Sequence, residues 1–210
     1  DLNAMAEADV VIEAVVEKLD VKKEVFQRLD EILPADALLT TNTSSMSITE
    51  LANQTKRPKQ VAGMHFFNPP QVMKLVEVIR GYYTSDETIQ TLFEFAKALG
   101  KEPVEVKKDT PGFIVNRVMT AQFIEAMRLV EEGVATPEDI DKAVTLGLNY
   151  PMGPFTLQDF AGVDIGYYVM DYLHKELNDN RCAPPQSLKQ LIRAGRLGKK
   201  TGAGWYDYDK

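Results

Sequence analysis

Pro103-Val104-Glu105-Val106-Lys107-Lys108-Asp109-Thr110-Pro111 is where this chain changes character. Upstream, apolar runs of strand length alternate with helical patterns, and the run over 103–107 is the last of them. Downstream, every periodic segment is helical. The earlier strand-like runs are residues 10–16, 37–41, 61–67 and 74–79. Strands that alternate with helices signal an α/β sheet. Between them, residues 20–33 set Val25, Phe26, Leu29, Ile32 and Leu33 on one helical stripe that Pro34 closes. Ser47-Ile48-Thr49-Glu50 is a capping box that opens a second helix. A third covers 84–99, capped by Ser85 or Thr84 and stopped by Gly100.

The domain boundary is therefore expected near Asp109, with an α/β domain over 1–108 and a helical domain over 109–210. Thr110-Pro111 reads as an N-cap followed by proline at the first helical position. The spacing Val115, Val118, Met119, Phe123, Met127, Val130 then carries a long amphipathic helix to Gly133. Thr136-Pro137-Glu138-Asp139 caps another, and Pro151-Met152-Gly153-Pro154 turns the chain into an aromatic-rich helical stretch over 155–177. The tail from Gly198 to Tyr206 is a glycine-rich loop. Its Gly202-Ala203-Gly204 follows no strand and so is not a dinucleotide fingerprint.

With 210 residues, 44% of them hydrophobic, the chain can bury a sizeable core. No apolar run approaches the ~18 residues that span a bilayer. A net charge of −7 excludes binding long nucleic acids through a general field. The single cysteine, Cys182, excludes an intrachain disulfide, and no Cys/His cluster suggests zinc. A reducing, cytoplasmic compartment is expected. Because the chain opens on Asp1 and enters a structural pattern at once, it reads as cut into at its start.

Two residues stand out chemically. His65 and, twelve positions later, Glu77 are each set in a strand-like apolar run. If those strands are neighbours the side chains can meet, since alternate residues share a face. A carboxylate in an apolar face needs a partner, and a histidine supplies one while having its tautomer fixed. The pair reads equally as buried structure or as an acid/base couple. Thr41-Asn42-Thr43-Ser44-Ser45 follows a strand, where an open parallel sheet binds ligands, although such clusters also simply turn chains. Asn116 falls on the core side of the long helix, so its amide must find partners. His174 reads as packed and Cys182 as an idle thiol.

Taken in order, Val11-Ile12-Glu13-Ala14-Val15-Val16-Glu17, Asn42-Thr43-Ser44-Ser45, His65-Phe66-Phe67-Asn68-Pro69, Lys74-Leu75-Val76-Glu77-Val78-Ile79, Asp109-Thr110-Pro111-Gly112-Phe113-Ile114-Val115-Asn116-Arg117 and Pro151-Met152-Gly153-Pro154 resemble the L-3-hydroxyacyl-CoA dehydrogenase family, especially its bacterial 3-hydroxybutyryl-CoA branch. The resemblance implies a doubly wound, Rossmann-like domain that binds NAD, then a helical domain that makes a homodimer. It implies that His65 is the general base for the 3-hydroxyl of an acyl-CoA substrate, that Glu77 orients it, that Ser44 bonds the same oxygen and that Asn116 holds the thioester end. Glu17, Lys22, Asn42 and Asn68 would line the cofactor or substrate cleft, and Lys200 would reach the cofactor.

The family begins with a strand, a glycine-rich turn and a helix, and this sequence lacks them. On the order of 60 residues are thus expected to be missing from the N-terminal side. In the usual strand order 3-2-1-4-5-6, the run over 10–16 would then have an exposed edge, covered by another chain or fragment. The competing reading is a catalytically silent dimerisation fragment that cannot bind NAD alone. A sugar-acid dehydrogenase relative is a third, but Phe66-Phe67 after the histidine favours acyl-CoA.

Overall fold

The structure, a computed structural model, describes residues 1–208. It divides into one unit over Asp1–Ile114 and another over Val115–Lys210.

The first unit runs β1 (Val10–Glu13), α1 (Leu19–Ile32), β2 (Leu38–Thr41), α2 (Ile48–Ala52), β3 (Val61–Phe66), β4 (Leu75–Ile79), α3 (Asp86–Ala98) and β5 (Glu102–Val106). The sheet has the order β1-β2-β3-β4-β5. Its neighbours are parallel except β3 and β4, which are antiparallel. Connection length explains the exception. Each parallel pair is bridged by a helix, whereas β3 reaches β4 through a loop alone, and such a loop can join only antiparallel neighbours. This is a Rossmann-like α/β arrangement with β1 at one end of the sheet.

Period-two alternation divides the strand residues between two cores. Leu39, Val61 and Ile79 pack with Phe26, Leu29 and Ile48 under α1 and α2. Leu38, Ala62, Met64, Val76 and Val78 pack with Ile89, Leu92 and Ala96 of α3. A sheet covered on both faces buries strand residues of either parity, and β2, Leu38-Leu39-Thr40-Thr41, is buried at every position. Gly63 shows how closely α2 and β4 approach β3. A Cβ there would lie 2.8 Å from Ile79 Cδ1 and 3.0 Å from Ile48 Cδ1. Gly63→Ala is expected to destabilise the first unit by about 1–3 kcal/mol through overpacking, read as a lower urea midpoint, and an unchanged midpoint would refute this.

Three local expectations are corrected. First, β1 stops at Glu13 because its carboxylate turns back to accept the Val15 N–H at 2.6 Å, leaving Val15 and Val16 exposed. Second, no helix begins at Thr110-Pro111. Gly112 (φ 73°) and Phe113 (φ 47°) are left-handed, so the long helix α4 (Val115–Glu131) starts only beyond them. Val118, assigned to its apolar stripe, is exposed, and Thr120, Phe123, Ile124 and Met127 form the buried face instead. Third, the stretch over 155–177 is two helices, α6 (Pro154–Ala161) and α7 (Val163–Leu177). Gly162 at φ 107° separates them. The capping box forms in part: Ser47 Oγ accepts the Glu50 N–H, while the Glu50 carboxylate pairs with Lys23.

With α5 (Pro137–Gly147) and α8 (Gln186–Arg193), the second unit packs α4 to α8 around Phe123, Met127, Ile140, Phe155, Val163, Met170 and Leu188. Two buried carboxylates fasten its tail. Asp141 accepts from Phe155 N, from Thr156 N and Oγ1, and from the Tyr206 hydroxyl. Asp159 accepts from Trp205 N, Tyr206 N and the Tyr208 hydroxyl. Burial, and then these hydrogen bonds, push both tyrosine phenols well above their ordinary range. The tail glycines exist for this contact: a Cβ on Gly204 would sit 2.0 Å from Asp159 Oδ1.

Candidate active site

The carboxyl ends of β1, β2 and β3 bring the polar residues of the first unit together, as open parallel sheets do. The antiparallel register of β3 and β4 makes His65 and Glu77 direct partners. His65 Nδ1 lies 2.8 Å from Glu77 Oε2, and both residues are buried. Glu77 Oε1 accepts the Ile114 N–H at 3.0 Å, so each carboxylate oxygen receives a donor and the ionised form is satisfied. Nδ1 must then carry the imidazole proton. That leaves the lone pair on Nε2, which lies 3.2 Å from Ser44 Oγ. Two rings flank the imidazole, Phe67 at 4.6 Å and Phe113 at 5.6 Å between centroids.

The loop that carries Ser44 is held by a second network. Glu13 Oε1 accepts from Lys22 Nζ at 2.8 Å, and Glu13 Oε2 accepts from Thr41 Oγ1 at 2.7 Å. Lys22, 1% exposed, also bonds Glu17 Oε2 at 3.1 Å and the Val15 carbonyl at 3.3 Å, so its three protons meet three acceptors. Glu17 Oε1 in turn accepts from Thr43 Oγ1 and from the Ser44 N–H. Asn42 clips the same loop to β3, its Oδ1 accepting the Phe66 N–H at 2.8 Å. Glu17, Lys22, Asn42 and Ser44 thus form one connected assembly, with His65 at its end.

Asn68 is exposed in the loop after β3. Asn116 and Lys200 belong to the second unit. Asn116 is half-buried on the first turn of α4, and Lys200 Nζ is paired with the Asp164 carboxylate at 2.5 and 2.7 Å. The sequence placed Thr41 and Thr43 in a ligand-facing loop without showing their bonds to Glu13 and Glu17, and it assigned no site role to Glu13, Asp109 or Ile114. Glu13 carried a usable signal, a lone charge inside an apolar run. Asp109, which accepts from Ser47 Oγ and Thr49 N, carried none beyond its place in the linker.

The Glu17 carboxylate, the Asn42 amide and the Ser44 hydroxyl lie together at the strand ends, each hydrogen-bonded within the chain. Among the described residues no group of three or more His, Cys, Asp or Glu could hold a metal ion, and no helix is long and apolar enough to cross a membrane.

The family model "3-hydroxyacyl-CoA dehydrogenase, NAD binding domain" matches residues 1–110, and "3-hydroxyacyl-CoA dehydrogenase, C-terminal domain" matches 112–208. The chain is 48% identical to a 3-hydroxybutyryl-CoA dehydrogenase of Clostridioides difficile, over 98% of this chain and 73% of that protein. It is 50% identical to a probable 3-hydroxybutyryl-CoA dehydrogenase of Bacillus subtilis, over 97% of this chain and 70% of that one. The crystal structure of (S)-3-hydroxybutyryl-CoA dehydrogenase from Ralstonia eutropha superposes with a TM-score of 0.96 at 42% identity, covering 100% of this chain and 74% of that chain. The chain belongs to the 3-hydroxyacyl-CoA dehydrogenase family.

Proposed function

We propose that the protein interconverts (S)-3-hydroxyacyl-CoA, in particular 3-hydroxybutyryl-CoA, and the 3-oxoacyl-CoA, with NAD as cofactor. The observation that carries this is the relay of Ser44 Oγ, His65 and Glu77, at 3.2 and 2.8 Å, set at the strand ends of the domain that the NAD binding family model matches. In the oxidation, His65 Nε2 takes the proton of the 3-hydroxyl while Ser44 Oγ bonds the same oxygen. NAD, when bound, accepts the hydride that leaves C3 as the C3–O bond becomes a carbonyl. Glu77 keeps the imidazole turned and stabilises the charge that it gains.

Glu17, Lys22, Asn42, Asn68 and Lys200 serve the cofactor side, and Asn116 the thioester end. Residues 1–108 carry the couple of His65 and Glu77, and 109–210 form a homodimer through apolar side chains such as Val118, Leu146, Phe160 and Tyr168, each more than half exposed. The unpaired Cys182 suits a cytoplasmic setting. Relatives with dehydrogenase names that align across nearly all of this chain disfavour the silent-fragment reading.

The test is NADH consumption with 3-oxoacyl-CoA thioesters of increasing chain length. Turnover is expected with acetoacetyl-CoA. Reduction of free 3-oxo acids or sugar acids with no thioester turned over would overturn the reading.

A further inference from the structure

The segment that follows β5 places two groups on the couple of His65 and Glu77. Phe113 is 3% exposed, lies in the core beneath α1 and α2, and holds a left-handed φ of 47° that a bulky residue adopts only under compulsion. That conformation does two things at once. It sets the ring 5.6 Å from the imidazole of His65, and it turns the next backbone N–H, that of Ile114, onto Glu77 Oε1 at 3.0 Å. The segment's other end is fixed as well, because Asp109 accepts from Ser47 Oγ at 2.7 Å and from Thr49 N at 2.8 Å.

We infer that Phe113 and the backbone N–H of Ile114 are a positioning element for this reaction: the N–H locks the Glu77 carboxylate so that its other oxygen faces His65 Nδ1, and the Phe113 ring keeps water from the bond between them. This rests on the reading of His65 as the base. A carboxylate with one oxygen held by a fixed donor cannot rotate away from the imidazole without abandoning a buried hydrogen bond. The backbone donor also carries no charge that would compete with His65 for the carboxylate. Phe113 meets His65 and the Ile114 N–H meets Glu77, so both act through that couple.

The test uses the full chain with 15N-labelled histidine and three variants. The first replaces Ile114 by its α-hydroxy acid analogue, which turns the amide into an ester and removes the N–H while keeping the side chain. Turnover of acetoacetyl-CoA is expected to fall about tenfold with KM within about twofold, and the low-field His65 Nδ1–H resonance to move upfield and broaden. Phe113→Gly tolerates the left-handed backbone and retains the Ile114 donor. It is expected to keep the resonance position but speed that proton's exchange with solvent, and Phe113→Leu to slow it again. An unmoved resonance in the ester variant, or an unchanged exchange rate in Phe113→Gly, would overturn the proposal, even if the variants melt earlier. Failure of the catalytic reading looks different. In that case His65→Gln would retain turnover, whereas the resonance would still respond to the ester.

Discussion

His65→Gln is expected to lower turnover of acetoacetyl-CoA by about 10²- to 10⁴-fold, the usual contribution of a positioned general base. Glutamine suits the comparison because its amide can still donate to Glu77 Oε2, which His65 Nδ1 now meets at 2.8 Å. The buried carboxylate is therefore not orphaned, and the fold is expected to survive. What the variant lacks is a basic nitrogen where Nε2 stands, 3.2 Å from Ser44 Oγ. NADH affinity, measured by calorimetry, should change little, because the cofactor-side contacts are assigned to other residues. A purely structural pair would give the reverse pattern, with a lower melting temperature and nearly normal turnover.

Lys22→Met carries the largest expected effect on stability. The lysine is 1% exposed and sits between the buried Glu13 and the half-exposed Glu17, at 2.8 and 3.1 Å. Removing one partner of a buried ion pair leaves an uncompensated charge and costs about 3–5 kcal/mol. Thr41 Oγ1 and Val15 N would remain on Glu13, but neither is charged. Equilibrium unfolding in urea checks this. Adding Glu13→Gln to Lys22→Met should recover part of the loss, because it removes the stranded charge. A change of less than about 1 kcal/mol in the single variant would mean that water reaches Glu13. Activity should fall with stability, since Glu17 and Thr43 pass the same network on to Ser44.

The strands and most helices were legible because burial on two faces writes largely apolar runs, as in β3 and β4, and because Ser85 and Thr136 are true caps. The linker was not. Thr110-Pro111 has the composition of a helix start, and only the tertiary demand on Phe113 and Ile114 postpones the helix to Val115. Within the site, His65 and Glu77 stood out as polar residues in apolar runs, yet their direct register depends on a helix-free connection between β3 and β4. The network through Glu13, Thr41 and Thr43 was hidden for another reason. Threonines after a strand look like turn formers, and nothing in their order shows that they bond carboxylates 26 and 28 positions away. The conflict of Phe113 with its backbone is the kind of local inconsistency that sequence rules misread and that functional sites retain.

The central claim is that this chain moves a hydride between the nicotinamide and C3 of an acyl-CoA, with His65 handling the proton. It is tested most directly by giving the protein acetoacetyl-CoA with NADH carrying deuterium at both C4 positions and analysing the product by mass spectrometry. One deuterium at C3 of (S)-3-hydroxybutyryl-CoA, formed by the wild-type chain and nearly lost in His65→Gln, is the result expected. Product without deuterium at C3, or labelled product formed as fast without His65, would contradict it.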